Sequence, residues 1–172
     1  PFTLNGGTIG SDFAGNAYTG AITLTANSSL GISSSPANFT ISGAIGQSGG
    51  SYGLTKTQSN TVTLTGANTY TGTTTVLNGT LQIGSGTQTT ALLAAGSPVV
   101  LGDGTNVGTL AFRLNNDFAF ANPVSYATAT GRILLNMAAS SQAMTVADAT
   151  SFTDATKGLI RVENGIFSLA SG

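Results

Sequence analysis

The carboxylates near the end of the sequence are the residues whose types could support catalysis. Asp148, Asp154 and Glu163 lie in the last quarter of the chain, together with Lys157 and Arg161. Facing carboxylates are the arrangement that glycosidases use, and clustered carboxylate oxygens also suit a calcium ion. Isolated charges more often decorate solvated loops. We therefore expect surface charges here, with a site formed by Asp148, Asp154 and Glu163 as the alternative.

Other kinds of chemistry are restricted by composition. The sequence has no His and no Cys, which excludes a Ser-His-Asp triad, a thiol nucleophile and a thiolate metal site. The segment "LGDGTNVG", from Leu101 to Gly108, surrounds an aspartate with glycines but has neither the Lys of a phosphate loop nor the repeated Asp of a calcium loop. We predict a tight turn at this segment, no cofactor and no enzymatic activity.

Threonines at alternating positions are a further candidate for a contact surface. Outward hydroxyls aligned on a β-surface can hold sugars or order water. Ice binding requires the same Thr pair on one face of successive coils, whereas we expect both runs to lie within one coil, without equivalents near Ile41 and Phe112. The possible contact residues are Thr61, Thr63, Thr65, Thr71, Thr73 and Thr75.

Composition also predicts an unusual outer surface. Only 6% of the residues are charged, against about a quarter in ordinary domains, and uncharged polar residues and Gly take their place. The net charge of −1, without a basic run, argues against a nucleic-acid partner. Such binding is driven by Lys and Arg side chains that neutralise phosphates and release their counterions, and this sequence has no cluster of them. No stretch approaches the ~18 consecutive apolar residues of a membrane-spanning helix. We expect a folded chain with no transmembrane segment.

Apolar residues two positions apart recur along the whole chain, which is the period of a β-strand. Gly, Asn, Ser and Pro clusters separate these pairs, so each predicted strand is short. The sequence therefore predicts an all-β fold. The pairs are Ile22/Leu24, Leu30/Ile32, Phe39/Ile41, Val62/Leu64, Leu81/Ile83, Val99/Leu101, Leu110/Phe112, Phe118/Phe120, Ile133/Leu135, Met144/Val146 and Ile160/Val162.

The spacing of these strands favours a parallel β-helix. Neighbouring pairs often start eight or nine residues apart, and three such steps give about 25 residues, a length typical of one coil. Stacked coils also account for the composition, because charges repeated at every strand spacing would repel whereas Thr, Asn and Ser can hydrogen-bond to their own kind. A β-sandwich or an up-and-down barrel is the alternative, and Asn-Gly turns such as Asn78-Gly79 suit either fold.

The segment "GLTKTQSNTVTLTGANTYTGTTTVLNGTLQIGSG", residues 53–86, resembles the autotransporter-associated β-strand repeat, also called the passenger-associated transport repeat. The matching pieces are "LTK", "TLTGANTYTG", "TTV" and "GTLQIG", in the order of the family. The resemblance implies a right-handed parallel β-helix that is exported and displayed outside a bacterium. In that family, such a β-helix is part of a passenger region or of a very large surface protein.

Eight residues carry this repeat motif. We expect Gly66 and Gly72 to supply turn conformations. Asn68 is expected to bond to nearby backbone or to a stacked polar neighbour, and Tyr70 to pack at a corner of the coil. The motif residues are Gly66, Asn68, Tyr70, Gly72, Val76, Gly79, Leu81 and Ile83.

The whole chain, residues 1–172, is predicted to be one β-helical segment. It begins at Pro1 without a Met or a signal segment, so we expect a piece processed or excised from a larger protein at the bacterial surface. The expected function is a structural stalk, passenger or fibre that adheres or self-associates by stacking of units. Surface glycans and other cells are further candidate partners. The alternatives are a carbohydrate-active β-helix enzyme and a sugar- or ice-binding module.

Overall fold

The computed structural model describes residues 1–31, 37–89, 93–127, 130–146 and 158–169, and these residues form nineteen short β-strands. The strands alternate along the chain among three faces of a coil. The described residues contain no helix, and therefore none with the length and apolar character that crossing a bilayer requires.

Each face is built from parallel strands of successive coils; among the described residues, faces B and C are continuous stacks, whereas face A is divided into two sheets. Face A consists of two three-stranded sheets, β1 (Phe2–Leu4), β4 (Ile22–Leu24) and β7 (Ile45–Gln47), and then β14 (Phe118–Phe120), β17 (Ala143–Val146) and β19 (Ile166–Leu169). Face B consists of β2 (Thr8–Ile9), β5 (Ser28–Leu30), β8 (Leu54–Lys56), β10 (Thr74–Val76), β12 (Val99–Leu101) and β15 (Val124–Tyr126). Face C consists of β3 (Asn16–Tyr18), β6 (Phe39–Ile41), β9 (Thr61–Leu64), β11 (Gly79–Ile83), β13 (Gly108–Phe112), β16 (Gly131–Asn136) and β18 (Gly158–Asn164).

The pairing confirms the predicted parallel β-helix. Successive coils form a β-solenoid of about 6 turns with strands ~23 residues apart, close to the predicted 25. The coils differ in length, since Thr61 pairs with Thr80 but Gly79 pairs with Gly108. Every strand pair in the described residues is parallel, so the alternative of an antiparallel sandwich or barrel is wrong.

The core consists of inward side chains that stack on their equivalents in the next coil. Because a strand has a period of two, the two apolar residues of a predicted pair face inward together where the structure describes both of them. Burying one such side chain contributes about 1.5–3 kcal/mol. One column on face C contains Ile41, Leu64, Ile83, Phe112 and Leu135 in successive coils, all buried.

The last predicted pair is less buried than the others. Ile160 is partly buried, and Val162 is 44% exposed although it pairs with the buried Leu135. The cause is its place in the stack, since β18 is the last described strand of face C and no described strand covers its far side. Ile32, from another predicted pair, lies outside the described residues.

A glycine column marks the corner between face C and face A. Gly20, Gly43 and Gly66 follow one another at 23-residue steps, each within a Ser/Thr-Gly-Ala triplet. A Cβ on Gly66 would lie 2.6 Å from the Gly43 carbonyl oxygen, and a Cβ on Gly43 would overlap the Gly20 carbonyl. The backbones of successive coils therefore approach so closely at this corner that only glycine fits.

Gly43→Ala tests this close approach. We expect it to destabilise the fold by about 2–3 kcal/mol, the upper part of the range for overpacking, because the obstructing atoms belong to backbone that cannot rotate away. Gly46→Ala is the matched control, since its Cβ would meet only the Thr69 hydroxyl at 3.3 Å. Thermal and urea unfolding of the two variants give the comparison, and equal stability of both would contradict the close-packed corner.

Candidate contact surface

Face A is interrupted at Asn68. In the coil below, the Ile22 amide donates to the Ala44 carbonyl at 2.9 Å, as in a regular ladder. One coil later, the Ile45 amide donates instead to Oδ1 of Asn68 at 3.2 Å, and Nδ2 of Asn68 donates to the Gly66 carbonyl at 3.1 Å. The buried Asn68 side chain thus accepts the bond that a further strand would accept, and the first sheet of face A ends at β7.

Tyr70 lies inside the core, directly after this interruption. Its ring is 1% exposed, and its hydroxyl forms a 2.8 Å hydrogen bond with the hydroxyl of Thr74, the fully buried first residue of β10. Burial raises the pKa of Tyr70 to about 12, against a smaller opposing contribution from this hydrogen bond. Tyr70 thereby supplies apolar area on the side of the coil where no strand forms, while Thr74 satisfies its one polar group.

A double-mutant cycle tests the Tyr70–Thr74 pair. Tyr70→Phe and Thr74→Val should each destabilise the fold by about 1–3 kcal/mol, because each leaves a buried hydroxyl without its partner. The double variant should cost less than the sum of the two, since it removes both polar groups while keeping similar shapes. Chemical unfolding of all four proteins measures the coupling. Strict additivity would contradict a bond between the two hydroxyls.

Lys56 points into the core, which its sequence pattern did not lead us to expect. It is the third residue of β8, pairs with Leu30 and Val76 in the adjacent coils and has no exposed surface. Its Nζ donates to the carbonyl of Gln58 and, at 3.2 Å, to that of Asn78. Burial lowers the pKa of Lys56 to about 8. The sequence contained one signal of this burial: Lys56 lies two residues after Leu54, and residues two apart in a strand point to the same side.

The buried lysine predicts an alkaline rise in stability. The pKa is about 8 in the fold and 10.5 for a free lysine, so between these values the unfolded chain binds more protons and the free energy of unfolding increases with pH. Above pH 10 it should fall again, because burial raises the pKa of both Tyr70 and Tyr126 to about 12 and only the unfolded tyrosines ionise readily.

Urea unfolding from pH 7 to pH 11 measures this profile. Lys56→Met should abolish the rise, and Tyr70→Phe should keep the rise but weaken the later fall. A rise of the same size in Lys56→Met would rule out Lys56 as its source.

The other motif residues occupy structural positions. Gly79 has a positive φ of 70°, a turn conformation that glycine adopts without strain, and a Cβ on Gly72 would overlap the backbone of Tyr52. The three apolar residues of the motif, Val76, Leu81 and Ile83, are fully buried inward residues of β10 and β11.

Threonines on face C align across more coils than the sequence analysis predicted. Thr61, Thr80 and Thr109 pair in register in three successive coils, and Thr40 pairs with Thr63. Single threonines therefore have equivalents near Ile41 and Phe112, because the register of parallel strands decides which hydroxyls stack. The expectation concerned the Thr-x-Thr pair, and this pair does not recur in the described coils next to Ile41 and Phe112. In the neighbouring column, Gln82 and Ala111 follow Thr63, so the Thr-x-Thr pair itself occurs in one coil.

The remaining threonines lie in different surroundings. Thr65 follows β9, and its amide donates to the Ile41 carbonyl at 3.0 Å. The Thr71 hydroxyl accepts from Gln47 Nε2 at 2.7 Å and lies 3.0 Å from the Ser51 hydroxyl. Thr73 and Thr75 belong to a polar groove on face B of about 330 Å³. The groove is lined by Asn27, Ser51, Gly53, Thr55, Gly72, Thr73 and Thr75.

The acidic residues do not form a site within the part of the chain that is described. Glu163 pairs with Arg161 at 3.0 Å at the surface, while Asp148 and Asp154 lie outside the described residues. No group of three His, Cys, Asp or Glu side chains suited to a metal ion occurs among residues that the structure describes.

The glycine-flanked Asp103 occupies a tight turn, as predicted. Its carboxylate accepts from the backbone amides of Thr105 and Asn106 at 2.8 and 2.6 Å, and from the Asn106 side chain at 2.8 Å. These hydrogen bonds, the one from the Asn106 side chain most of all, lower the pKa of the Asp103 carboxyl. The carboxylate is therefore engaged in holding its own loop.

Taken together, parallel stacking, short strands and inward columns define a β-solenoid whose side chains mainly maintain the coil. The family model of the passenger-associated-transport-repeat matches residues 54–83, and the chain therefore contains this repeat, as its sequence predicts. No curated protein and no solved structure matches the chain. The match begins at β8 and ends at β11, so the repeat comprises two successive strand pairs of faces B and C joined by the interruption of face A.

The repeat and the solenoid together support a structural segment of an autotransporter passenger, and the repeat suggests a secreted or surface protein.

Proposed function

We propose that this segment is a structural rod at the bacterial surface that adheres by associating with copies of itself through its uncharged faces. One observation carries the proposal. Between Phe13 and Gly102 the sequence has a single charged residue, Lys56, and that residue is buried in the core. The outer surface of the middle coils therefore has no side-chain charge to keep two copies apart.

Uncharged hydroxyl surfaces favour weak contacts spread over a large area. Net charge near zero promotes association of proteins, and outward Thr side chains can exchange bonds with water for bonds with a second copy. The in-register threonines of face C give such a surface a regular spacing of about 4.8 Å. Ionic strength should have little effect on such contacts, since salt screens only interactions between charges.

The alternatives gain less support from the geometry. Ice binding needs the same Thr pair in successive coils. The pair Thr61 and Thr63 is followed one coil later by Thr80 and Gln82, so the second column of threonines is interrupted. A carbohydrate-active enzyme would need facing carboxylates, and Glu163 is paired with Arg161. A structural and adhesive role needs neither arrangement.

Added charge on face C tests self-association. In sedimentation velocity at increasing concentration, the parent protein should form larger species to a similar extent in low and high salt. Thr63→Lys with Thr109→Lys should remain monomeric, because two ammonium groups then repel a second copy across the same face.

Thr105→Lys with Ser140→Lys is the matched control, since both positions are exposed in turns outside the three faces. This variant carries the same added charge and should associate like the parent. A parent that stays monomeric at all concentrations, or a face C variant that associates as strongly as the parent, would overturn the proposal.

A further inference from the structure

We propose that the polar groove on face B binds a neutral oligosaccharide. The inference deepens the adhesive part of the proposed function, on which it rests, by naming a ligand class. The groove spans three successive coils, with Asn27 from the first, Ser51 to Thr55 from the second and Gly72 to Thr75 from the third. Its volume of about 330 Å³ is at the lower end of the range of about 300–1,000 Å³ for ligand sites, a size suited to one or two sugar units.

Two glycines allow successive coils to approach closely at the groove. A Cβ on Gly53 would lie 2.6 Å from the Thr73 carbonyl oxygen, and a Cβ on Gly72 would overlap the backbone of Tyr52. Close approach of the two coils therefore requires residues without side chains at both positions. This close approach brings the groove residues of the two coils together in one surface.

Hydroxyl groups without partners line this space. Within the described residues, no hydrogen bond engages the hydroxyls of Thr55, Thr73 or Thr75, although other hydroxyls nearby are paired. Thr55 and Thr75 are directly paired in adjacent strands, so their side chains are neighbours on the same face. A hydroxyl both donates and accepts, which matches the alternating donors and acceptors of a sugar ring.

Asn27 adds a fixed donor at the rim. Its Oδ1 accepts from the Gly53 amide at 2.7 Å, which sets the orientation of the side-chain amide. No described hydrogen bond engages its Nδ2, which is therefore available to an acceptor on the ligand. The groove thus offers three two-way hydroxyls and one donor.

Charge selects neutral sugars over anionic ones. No lining residue is charged, and Lys56, the nearest charged residue in the sequence, points into the core on the same strand as Thr55. An anionic oligosaccharide would lose hydration in the groove without gaining an ion pair, whereas a neutral one exchanges hydroxyl bonds to water for hydroxyl bonds to protein.

Calorimetric titration of the purified protein with defined oligosaccharides tests the proposal. The neutral probes are cellotetraose, maltotetraose and mannotetraose, and the anionic probe is tetragalacturonate. At least one neutral probe should bind, and tetragalacturonate should bind at least tenfold more weakly. Thr55→Val with Thr75→Val should weaken neutral binding tenfold or more, because valine keeps the strand shape but offers no hydroxyl.

Two further variants make the result specific. Thr40→Val with Thr63→Val is the matched control, a paired set of threonines on face C that should bind like the parent. Asn27→Asp keeps an acceptor for the Gly53 amide but replaces the Nδ2 donor by a negative charge, and should also weaken neutral binding tenfold or more. Absence of binding to every neutral probe, equal binding of tetragalacturonate, or unchanged affinity in both groove variants would overturn the proposal.

The Thr63→Lys, Thr109→Lys protein separates this proposal from self-association. It should still bind the neutral probe, since neither substitution touches the groove. Loss of self-association with retained sugar binding supports the groove. If the parent self-associates but binds no neutral probe, the groove proposal is contradicted and the proposed function is not.

Discussion

The register of parallel stacking is the constraint on which the rest of the structure depends. Each residue lies beside its equivalent in the coils above and below, so an inward column is most stable when successive coils place compatible side chains in it. The column from Ile41 to Leu135 satisfies this rule with apolar residues alone. The glycine column from Gly20 to Gly66 satisfies it at a corner where backbones nearly touch. An isolated coil would gain neither contact, which is why the coils stabilise one another.

The family repeat is where this regularity is broken in a controlled way. Asn68 ends a sheet of face A by presenting a side-chain oxygen where a backbone carbonyl would otherwise be, and Tyr70 fills the adjacent core. Lys56 holds two carbonyl groups at the opposite corner. The polar groups of Asn68, Tyr70 and Lys56 are buried and hydrogen-bonded, and such groups favour one register over its alternatives because a shifted register would leave them without partners.

Much of the fold was predictable because strand period and repeat length are local properties. Alternation at Phe39/Ile41 or Val62/Leu64 identifies strands, and the spacing between pairs indicates a coil close to the observed length. The Ser/Thr-Gly-Ala triplets at 42–44 and 65–67 are 23 residues apart, which is the observed coil length. They indicate this length more closely than the spacing of the apolar pairs does.

The contact surface was less predictable because it depends on which residues become neighbours across coils. The alignment of Thr61, Thr80 and Thr109 requires the pairing register, and the groove requires the close approach of Gly53 and Gly72 to adjacent backbone. The buried Asn122 is a similar case, since its Nδ2 donates to the Ser97 carbonyl at 2.9 Å, a residue 25 positions earlier. No short segment of sequence contains this information.

The stacking of coils can be measured directly because the chain has no cysteine of its own. Spin labels on Thr8→Cys and Ser125→Cys would lie on the first and last described strands of face B, five strand spacings apart. With about 4.8 Å for each spacing, electron double resonance should give a backbone separation of about 24 Å, after correction for the label linkers. A single narrow distance near that value supports a continuous parallel solenoid. A much shorter distance, or a broad distribution, would contradict it.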